Sequence, residues 1–467
     1  MSSPAPATRR WVVLVLACLS QFMLVLDVSV VNVALPDIRT SLDFSEGNLA
    51  WVINAYTLAF GGFLLLGGRA ADLFGHKRTF LGGIALFTTA SLLNALAQNE
   101  EMLIAARALQ GLGAAFASPA ALAVVTTAFT SARERAQALS AWAAVSAGGA
   151  AFGLIIGGAL TQALSWEWIF LINVPMGVAV VVAGLRAIPT AERAHGAIDV
   201  TGAVTVTAGL VALVYAIISA GEHGWGSVTT LGFGALGLAL LGLFTIVEQR
   251  AAHPLVRLAI FRQRSLAVGD GVILLLMSGN IAFFFFSSLY LQDTLGYGPL
   301  TTGLAFLPIT IGIILASGAA QQIVRRIGVR AMAAIGLALG AAGELWLVAL
   351  PADATYWTDL LVPFIPMSIG IGLAFVALTM LATSGVDAEE AGLASGVYNT
   401  AQQVGGALGL AVIASLAAGA DSAMGGFHTA FAASGIMLAA GAVLIVALLR
   451  PRHVADVGEV GLETAVA

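Results

Sequence analysis

Long apolar runs separated by short polar connections dominate the chain. Fourteen runs reach the roughly 20 apolar residues that a helix needs to cross a bilayer. These runs are continuous and do not show the short segments of alternating apolar and polar residues that are typical of a membrane β-barrel. The pattern predicts an all-α polytopic membrane protein with 14 transmembrane helices. The predicted spans cover residues 11–34, 49–67, 80–97, 102–125, 136–163, 169–185, 200–220, 230–247, 266–291, 301–324, 331–350, 360–381, 392–417 and 427–449.

The composition supports this prediction and excludes several other classes of protein. Hydrophobic residues make up 59% of the 467 positions and charged residues only 10%, against about 25% charged in a soluble domain. A soluble enzyme, a disordered chain and a disulfide-rich secreted scaffold are therefore excluded, the last because Cys18 is the single cysteine. The net charge of -5 argues against a nucleic-acid partner. We expect no enzymatic activity, no cofactor and no bound metal, because no phosphate loop or metal-ligand spacing is present.

The basic residues predict the topology. With the N-terminus inside, 18 of the 20 Lys and Arg residues fall in cytoplasmic loops or tails, whereas Arg39 falls in the first outer loop and Arg107 in the fourth span. The positive-inside rule then places both termini in the cytoplasm. The first run is too long for a secretory signal and lacks a cleavage site, so we expect it to be retained. The low lysine and high alanine and glycine content suggests a GC-rich bacterial genome, and we therefore expect the protein in a bacterial inner membrane.

The loop lengths predict three parts. The longest cytoplasmic connections, 186–199 and 249–265, flank two spans. We therefore expect a six-helix bundle over 1–185, a two-helix insert with cytoplasmic linkers over 186–265, and a second six-helix bundle with a short cytoplasmic tail over 266–467. Glycine followed by basic residues recurs at Gly75 and Gly328, at equivalent places in the two bundles. Paired six-helix bundles are typical of transporters that rock around a central site, and no filter-like loop suggests a channel.

Five segments then carry a resemblance to a known family. They read LDVSVVNVALP at 26–36, GRAADLFGHKR at 68–78, RALQGLG at 107–113, WEWIFLINVP at 166–175 and SGVYNTAQQVGG at 395–406. In this order they resemble the fourteen-helix drug:proton antiporter family of the major facilitator superfamily, over nearly the whole chain. One departure lies at 149–158, GAAFGLIIGG, where Leu154 stands in place of the family's proline. The glycines still permit close helix contact, but the proline kink is absent.

Four ionisable residues lie well inside predicted spans, where a charge is costly: Asp27, Arg107, Asp270 and Glu344. Asp27 and Arg107 both lie roughly 10 Å from the outer ends of their spans, so an acid and a guanidinium at matching depth can share one cavity. The functional interpretation makes Asp27, with Arg107, the proton-coupling site, where protons and substrate cations compete for one negative charge. The alternative is a static pair that joins two helices. Asp270 lies one turn inside its span, where capping and interfacial solvation explain it better.

The resemblance also implies a gate in the loop between the second and third spans. It assigns Asp72, Gly75, Lys77 and Arg78 to a clamp that joins the two bundles at the cytoplasmic face. Breaking such a clamp as the bundles rock would give a two-state gate. Simple anchoring by Lys77 and Arg78 is the alternative, although it leaves Asp72 unexplained.

Polar and aromatic residues within the spans are candidates for the substrate path, because lipid offers an amide no hydrogen-bond partner. For each of them, a bond to a neighbouring helix is the alternative, and for Glu344 a substrate contact and a supporting position are equally favoured. The candidates are Asn54, Tyr56, Trp142, Asn280, Tyr290, Glu344, Tyr398, Asn399 and Gln402.

Together these features predict a secondary active transporter that exports amphipathic small molecules such as drugs, dyes or antibiotics in exchange for protons. Its partners would be the small-molecule substrate, protons and the lipid bilayer, and we expect it to act as a monomer. A facilitator or proton-coupled transporter of one metabolite or lipid is the alternative within transport. A membrane sensor or scaffold is the alternative outside it, although the polar tail after Arg452 is short for a signalling domain.

Overall fold

The computed structural model describes residues 7–129, 131–189, 199–251, 254–383 and 390–450, and within them the chain is helical and forms no β-strand. Short 3₁₀ turns cover Leu258–Arg262 and Leu347–Ala349, and π-helical turns cover Tyr290–Thr294 and Tyr356–Leu360. The predicted cytoplasmic tail beyond residue 450 and residues 190–198 of the first linker lie outside the described residues. The helices are α1 Ala7–Leu42, α2 Glu46–Leu49, α3 Trp51–Phe74, α4 His76–Ala95, α5 Glu100–Ala128, α6 Ala132–Ala163, α7 Trp168–Leu171, α8 Asn173–Ala187, α9 Val200–His223, α10 Val228–Arg250, α11 Arg264–Leu289, α12 Pro299–Ala305, α13 Leu307–Trp346, α14 Leu361–Thr383, α15 Ala391–Ala418 and α16 Ala423–Leu448.

Twelve helical segments of the described chain are long and apolar enough to cross a membrane, so the predicted number of 14 is not confirmed by this measure. Two predicted spans, 301–324 and 331–350, fall in one helical segment, Pro299–Ala349. Gly328 interrupts that segment with φ 78° and ψ 158°, a backbone conformation that glycine adopts without a Cβ clash. The predicted span 80–97 corresponds to α4, which is not among the twelve and begins with His76, Lys77 and Arg78.

The long helices alternate in direction between two faces of the bundle. We call the face where α1 begins the N-terminal face. Contacts at this face join Arg10 Nη1 to Glu134 Oε2, 2.8 Å apart at the start of α6, and Arg330 Nη2 to the Val446 carbonyl at 2.8 Å, near the end of α16. At the opposite face, Tyr290 donates to the Pro351 carbonyl at 2.5 Å. The helix order therefore builds an up-and-down bundle.

The helices pack in two groups with a pair of helices beside them. The first half consists of α1, α3 to α6 and α8, and the second half of α11 and α13 to α16. Between them in the chain, α9 packs against both α3 and α15, while α10 packs against α9. Helix α6 continues without a break through Leu154, where the family pattern expects a proline.

The two halves meet at the opposite face through α1 and α11. Ser288 Oγ donates to the Asn32 carbonyl at 2.6 Å, and Gln292 Nε2 donates to the Val33 carbonyl at 2.9 Å. Arg39 Nη2 lies 3.0 Å from both carboxylate oxygens of Asp293. The sequence prediction put Arg39 in a loop, which is wrong. The helix continues through Pro36 to Leu42, so Arg39 lies in the last turn of α1.

Small residues bring the halves together at a second place on the same face. The amide nitrogen of Leu300 donates to Gln162 Oε1 at 3.2 Å, which joins α12 to α6. A Cβ added to Gly303 would overlap the Leu154 carbonyl, so the two backbones touch only because residue 303 has no side chain. Nearer the N-terminal face, Thr400 Oγ1 contacts the Gly61 carbonyl at 3.4 Å, which joins α15 to α3.

Candidate functional site

A carboxylate and a guanidinium lie in contact at the centre of the first half. Asp27 projects from α1 and Arg107 from α5, with Asp27 Oδ2 2.5 Å from Arg107 Nη1. The side chains are 0% and 1% exposed. Their matching depths led us to expect one shared position, and the structure brings them together. A buried pair of this kind is costly to break, because removal of one partner leaves an uncompensated charge.

Two amides complete the coordination of the Asp27 carboxylate. Gln110 Nε2 donates to Asp27 Oδ1 at 2.7 Å, and Asn173 Nδ2 donates to the same oxygen at 3.1 Å. Arg107 in turn donates from Nη1 to Gln110 Oε1 at 2.7 Å and from Nε to the Val52 carbonyl at 2.9 Å. The carboxylate therefore receives bonds from α5 and α8, and Arg107 adds a bond to α3.

Two further polar side chains from α4 hold these amides in place. Ser91 Oγ accepts from Gln110 Nε2 and from Asn173 Nδ2, each at 3.2 Å, and donates to the Phe170 carbonyl at 3.0 Å. Asn94 Nδ2 donates to Gln110 Oε1 at 2.7 Å. We call Asp27, Arg107, Gln110, Asn173, Ser91 and Asn94 the polar network. All six side chains are buried.

Aromatic rings cover the cation. The Arg107 guanidinium carbon lies 4.5 Å from the centre of the Tyr56 ring and 5.7 Å from that of Phe170, within the range of cation–π attraction. Tyr56 was predicted on the substrate path, and here its ring is buried against Arg107. Asn54 is also fully buried on α3, and neither its amide group nor the Tyr56 hydroxyl has a hydrogen-bond partner among the described residues.

Four members of the polar network were missed as site residues in the sequence analysis. They are Gln110, Asn173, Ser91 and Asn94. Two of them stood in motifs that had been noted. Gln110 lies three residues after Arg107, on the same face of the helix, and Asn173 stands in the segment 166–175. Spacing from Arg107 was thus a usable signal for Gln110, whereas only tertiary packing brings α8 and α4 to the same point.

Protonation of Asp27 would change both the charge and the hydrogen bonds of the polar network. An ionised Asp27 balances the charge of Arg107 and accepts all three hydrogen bonds. Protonation would remove the negative charge that balances Arg107 and place a hydrogen on one oxygen, although both oxygens now face donor groups of Arg107 or of the amides. The contacts among α1, α4, α5 and α8 would then have to rearrange.

The predicted gate loop makes its described contacts within the first half. Gly75 joins α3 to α4 with φ 95°, which favours glycine. The Asp72 side chain is 54% exposed, and its Oδ1 lies 3.6 Å from His76 Nε2. Lys77 Nζ donates to the Leu185 carbonyl at 2.7 Å, and Arg78 is exposed. In the part of the chain that the structure describes, this loop makes no hydrogen bond or ion pair with the second half.

The remaining candidates for the substrate path do not converge on the polar network. Trp142 is half-buried on α6. The Tyr290 ring is buried and its hydroxyl bonds to the Pro351 carbonyl. On α15, the Tyr398 hydroxyl lies 2.9 Å from Thr379 Oγ1, while the exposed Asn399 accepts from Gln402 Nε2 at 3.3 Å. The Tyr290, Tyr398 and Gln402 side chains thus bond to neighbouring or local groups.

Three polar residues in the second half have oxygens without a described hydrogen-bond partner. Asn280 is half-buried on α11, and its Oδ1 is unpaired among the described residues. Glu344 is fully buried on α13, and neither carboxyl oxygen is bonded to a described donor. The same holds for Asp270, which is 5% exposed. The interpretation of Asp270 as a capped, interfacially solvated residue is therefore wrong. Among the described residues, no group of three or more His, Cys, Asp and Glu side chains could hold a metal ion.

Comparison with known sequences identifies a family and several relatives of this chain. Residues 17–410 match the profile of the Major Facilitator Superfamily. The chain is 41% identical over 405 residues to the cephamycin export protein CmcT of Amycolatopsis lactamdurans, which covers 86% of this chain and 83% of that one. It is 42% identical over 423 residues to the puromycin resistance protein pur8 of Streptomyces alboniger, covering 90% and 84%. It is 36% identical over 456 residues to a lincomycin resistance protein of Streptomyces lincolnensis, covering 97% and 94%.

The fold also resembles solved structures of transporters. A crystal structure of the peptide transporter POT in complex with sulfate superimposes with a TM-score of 0.72 over 95% of each chain, at 14% identity. A structure of the nucleoside transporter NupG superimposes with a TM-score of 0.64 over 93% of this chain and 99% of that one, at 12% identity. At such low identity these likenesses concern the fold alone.

Proposed function

Because the chain belongs to the Major Facilitator Superfamily, we propose that it exports amphipathic small molecules, antibiotics among them, by proton-driven alternating access. The names of its relatives support the substrate class, since they include a cephamycin exporter and puromycin and lincomycin resistance proteins. The substrate reaches the protein from the cytoplasm or the inner leaflet of the bacterial inner membrane. The chain acts as a monomer and has no enzymatic activity.

The polar network is the observation that carries the proton-coupling part of this proposal. Asp27 is the proton-binding carboxylate, and Arg107 sets the charge that the carboxylate must balance. Because both side chains are buried in this state, a proton reaches Asp27 only after the helices around it rearrange. Proton binding and helix movement are then linked, as antiport by alternating access requires.

We propose 14 transmembrane helices, two more than the count of long apolar segments. As a single helix, the 51 residues of Pro299–Ala349 would extend roughly 76 Å at 1.5 Å per residue, against about 30 Å of hydrocarbon. The positive φ of Gly328 is where this segment turns back, which makes it two spans. Helix α4, of 20 residues, packs between α5 and α8 and supplies the other span.

The charge distribution supports an orientation with both termini in the cytoplasm. Among the described basic residues, Arg10, Lys77, Arg78 and Arg330 lie at the N-terminal face, whereas Arg39 is at the opposite face. By the positive-inside rule the N-terminal face is cytoplasmic. The α1–α11 and α6–α12 contacts then close the outer side of the protein. Residues 1–185 and 266–467 are the two moving bundles, and the insert 186–265 lies beside them.

The gate and the substrate path follow from this orientation. We assign Asp72, Gly75, Lys77 and Arg78 to a clamp that contacts the second half only when the cytoplasmic side closes. The exposed Asn399 and the half-buried Gln402 of α15 line the cytoplasmic entrance together with Tyr398. The other substrate contacts we propose are Asn54, Tyr56, Trp142, Asn280 and Tyr290. For Glu344 we propose a different role below.

Efflux from a pump-deficient bacterium tests the proposed function. Cells that express the chain should export ethidium and survive puromycin, which is named in the relative from Streptomyces alboniger. A protonophore should abolish export, and the exposed-residue variant Thr89→Ala, whose hydroxyl bonds only to the Ala85 carbonyl, should export normally. Export that persists with the protonophore would favour the alternative, a facilitator. Absence of export would favour a transporter of one metabolite or lipid.

A further inference from the structure

The same crossing of two helices occurs in both halves of the protein. Residues of the first half can therefore be aligned with residues of the second half from this crossing. A Cβ added to Gly83 on α4 would lie 2.9 Å from the Gly113 carbonyl oxygen on α5. A Cβ added to Gly336 on α13 would lie 2.8 Å from the Gly370 carbonyl oxygen on α14. The crossing of α4 on α5 therefore recurs where the part of α13 after Gly328 crosses α14. Such repeats are the rule in transporters built from two bundles.

This register places Glu344 at the position that Ser91 holds in the first half. Ser91 follows Gly83 by eight residues, and Glu344 follows Gly336 by the same number. Ser91 is a member of the polar network and bonds to Gln110 and Asn173. Glu344 is therefore the carboxyl group that the second half holds at the site of the network.

The partners found in the first half are not repeated around Glu344. Arg107 and Gln110 precede Gly113 by six and three residues, and the residues that precede Gly370 by the same intervals are Phe364 and Met367. Both are buried and apolar. The second half thus has a carboxyl group where the first half has Ser91, and apolar side chains where the first half has the cation and the amide.

The packing of α11 and α16 closes the site. A Cβ added to Gly279 on α11 would lie 3.4 Å from Glu344 Oε2 and 3.0 Å from the Ser434 carbonyl on α16. Glu344 is 0% exposed, and among the described residues neither its carboxyl oxygens nor the Ser434 hydroxyl have a hydrogen-bond partner. The carboxyl group therefore lies at the junction of three helices without a described donor.

The titratable groups on the surrounding helices are distant or already bonded. On α11, Asp270 lies nine residues from Gly279, roughly 14 Å towards the N-terminal face, and Tyr290 bonds to the Pro351 carbonyl at the far end. On α16, His428 lies six residues before Ser434 and bonds to the Leu350 carbonyl at 2.8 Å. Before α14, Asp359 accepts from the Thr355 amide. None of these supplies a cation to Glu344.

An ionised carboxylate in such a place is far more costly than a neutral one, and even the neutral acid is less stable there than an apolar side chain. An ionisable group kept inside a membrane bundle without a structural partner points to a function. We propose that Glu344 is a second proton-binding site, protonated in the packed state seen here and deprotonated when water reaches it. This inference rests on the proposed proton-coupled function. On release, the carboxyl O–H bond breaks, the electron pair stays on oxygen and the proton passes to water.

Helix α11 links this site to the interface between the halves. Gly279 on α11 lies against Glu344, and nine residues further on Ser288 bonds to the Asn32 carbonyl of α1. Asp293, just beyond α11, pairs with Arg39. When the outer side opens, α11 must leave α1, and this movement also changes its packing on Glu344. Protonation of Glu344 therefore stabilises the state that is closed to the outside.

Infrared spectroscopy of the purified full chain in lipid vesicles tests the site without any substrate. The C=O stretch of protonated carboxyl groups is followed from acidic to alkaline pH for the wild type, Glu344→Gln, Glu344→Asp and Asp27→Asn. The exposed acid variant Asp421→Asn is the matched control. We expect Glu344→Gln to lose one pH-dependent carboxyl band that Asp27→Asn and Asp421→Asn both keep, and Glu344→Asp to retain that band at a shifted frequency. If Glu344→Gln loses no band, or loses one that does not change with pH, the proposal is wrong.

A cross-link tests the connection to the interface. In a Cys18→Ser chain, Arg39→Cys and Asp293→Cys are joined by a bis-maleimide, which holds the outer side closed. We expect the Glu344 band to become insensitive to pH in the cross-linked protein and to titrate in the same variant without the reagent. Identical titration in both would overturn the link. Because neither measurement requires transport, a failure of the export proposal and a failure of this one are distinguishable.

Discussion

Arg107 donates from Nη1 to Oδ2 of Asp27 over 2.5 Å, although 80 residues separate them in the chain. Both side chains are buried, and the pair joins α1 to α5 in the centre of the first half. Amides from α5 and α8 bond to the other carboxylate oxygen. The charge state of one carboxyl group therefore controls the contacts of several helices, which is the physical basis of the proton coupling proposed here.

Loss of both charges should destabilise the protein by less than the sum of the two single losses. Asp27→Asn and Arg107→Met each leave a buried ion or its partner unpaired, which typically costs about 3–5 kcal/mol. The double variant removes both charges, so its loss of unfolding free energy should be smaller than the sum of the two. Denaturant titration in detergent measures all four proteins. Additive effects would mean that the two residues do not interact in the folded protein.

Gln110 should contribute to stability far beyond an ordinary amide. Gln110→Ala removes donors from Asp27 and Ser91 and an acceptor from Arg107 and Asn94. We expect a loss on the order of 3 kcal/mol, because buried groups are left unpaired, together with reduced ethidium export. The control is Thr89→Ala, an exposed change on α4 that should cost less than about 0.5 kcal/mol. Equal effects of the two changes would contradict the network.

Gly303 should be required for closure of the outer side. In Gly303→Ala the new Cβ overlaps the Leu154 carbonyl, so α12 cannot approach α6. We expect export to fall by roughly tenfold or more, which corresponds to a shift of about 1.4 kcal/mol between the open and closed states. Gly318→Ala is the control, because nothing lies within 4 Å of its added Cβ.

The Gly303 variant should also be visible in labelling. A cysteine placed at Gln162 in a Cys18→Ser chain reports access from outside to an impermeant maleimide. It should react faster when combined with Gly303→Ala than with Gly318→Ala. Equal rates would mean that this contact does not hold the outer side closed.

The Arg39–Asp293 pair should act through its charges rather than through the identity of its residues. Arg39→Asp or Asp293→Arg alone places like charges together at the interface, whereas the two changes combined restore an opposite pair. We expect each single variant to slow ethidium export, by up to about fivefold for a partly exposed pair. The exchanged pair should recover most of the rate. High salt should reduce the defect, and a double variant as slow as the singles would argue against a role for the pair.

The sequence predicted those parts of the site that depend on position along one helix. The depths of Asp27 and Arg107 followed from counting residues from the span ends, and they are in contact. Asn173 and Ser91 could not be assigned in this way, because their role depends on how α8 and α4 are placed around α1. Tyr290 was predicted to line a path, but the loop that carries Pro351 supplies an acceptor for its hydroxyl.

The number and the ends of the membrane spans also depend on features that the sequence pattern does not show. Hydropathy located each apolar run, but one positive φ at Gly328 decides whether α13 is one helix or two. Arg39 was predicted in a loop beyond Ala34, yet α1 continues to Leu42, and there Arg39 pairs with Asp293 of the second half. Burial of Asp270 was likewise invisible, since a helix end that looks interfacial by counting is covered by its neighbours.

Ethidium transport in vesicles with and without an imposed proton gradient, measured for the wild type and Asp27→Asn, tests directly whether Asp27 couples transport to protons. We predict that the gradient accelerates transport by the wild type. Asp27→Asn should insert in normal amounts and show no acceleration, because no carboxylate remains at the network to bind the proton. If Asp27→Asn responds to the gradient as the wild type does, Asp27 is not the coupling site and the buried pair serves only to join α1 and α5.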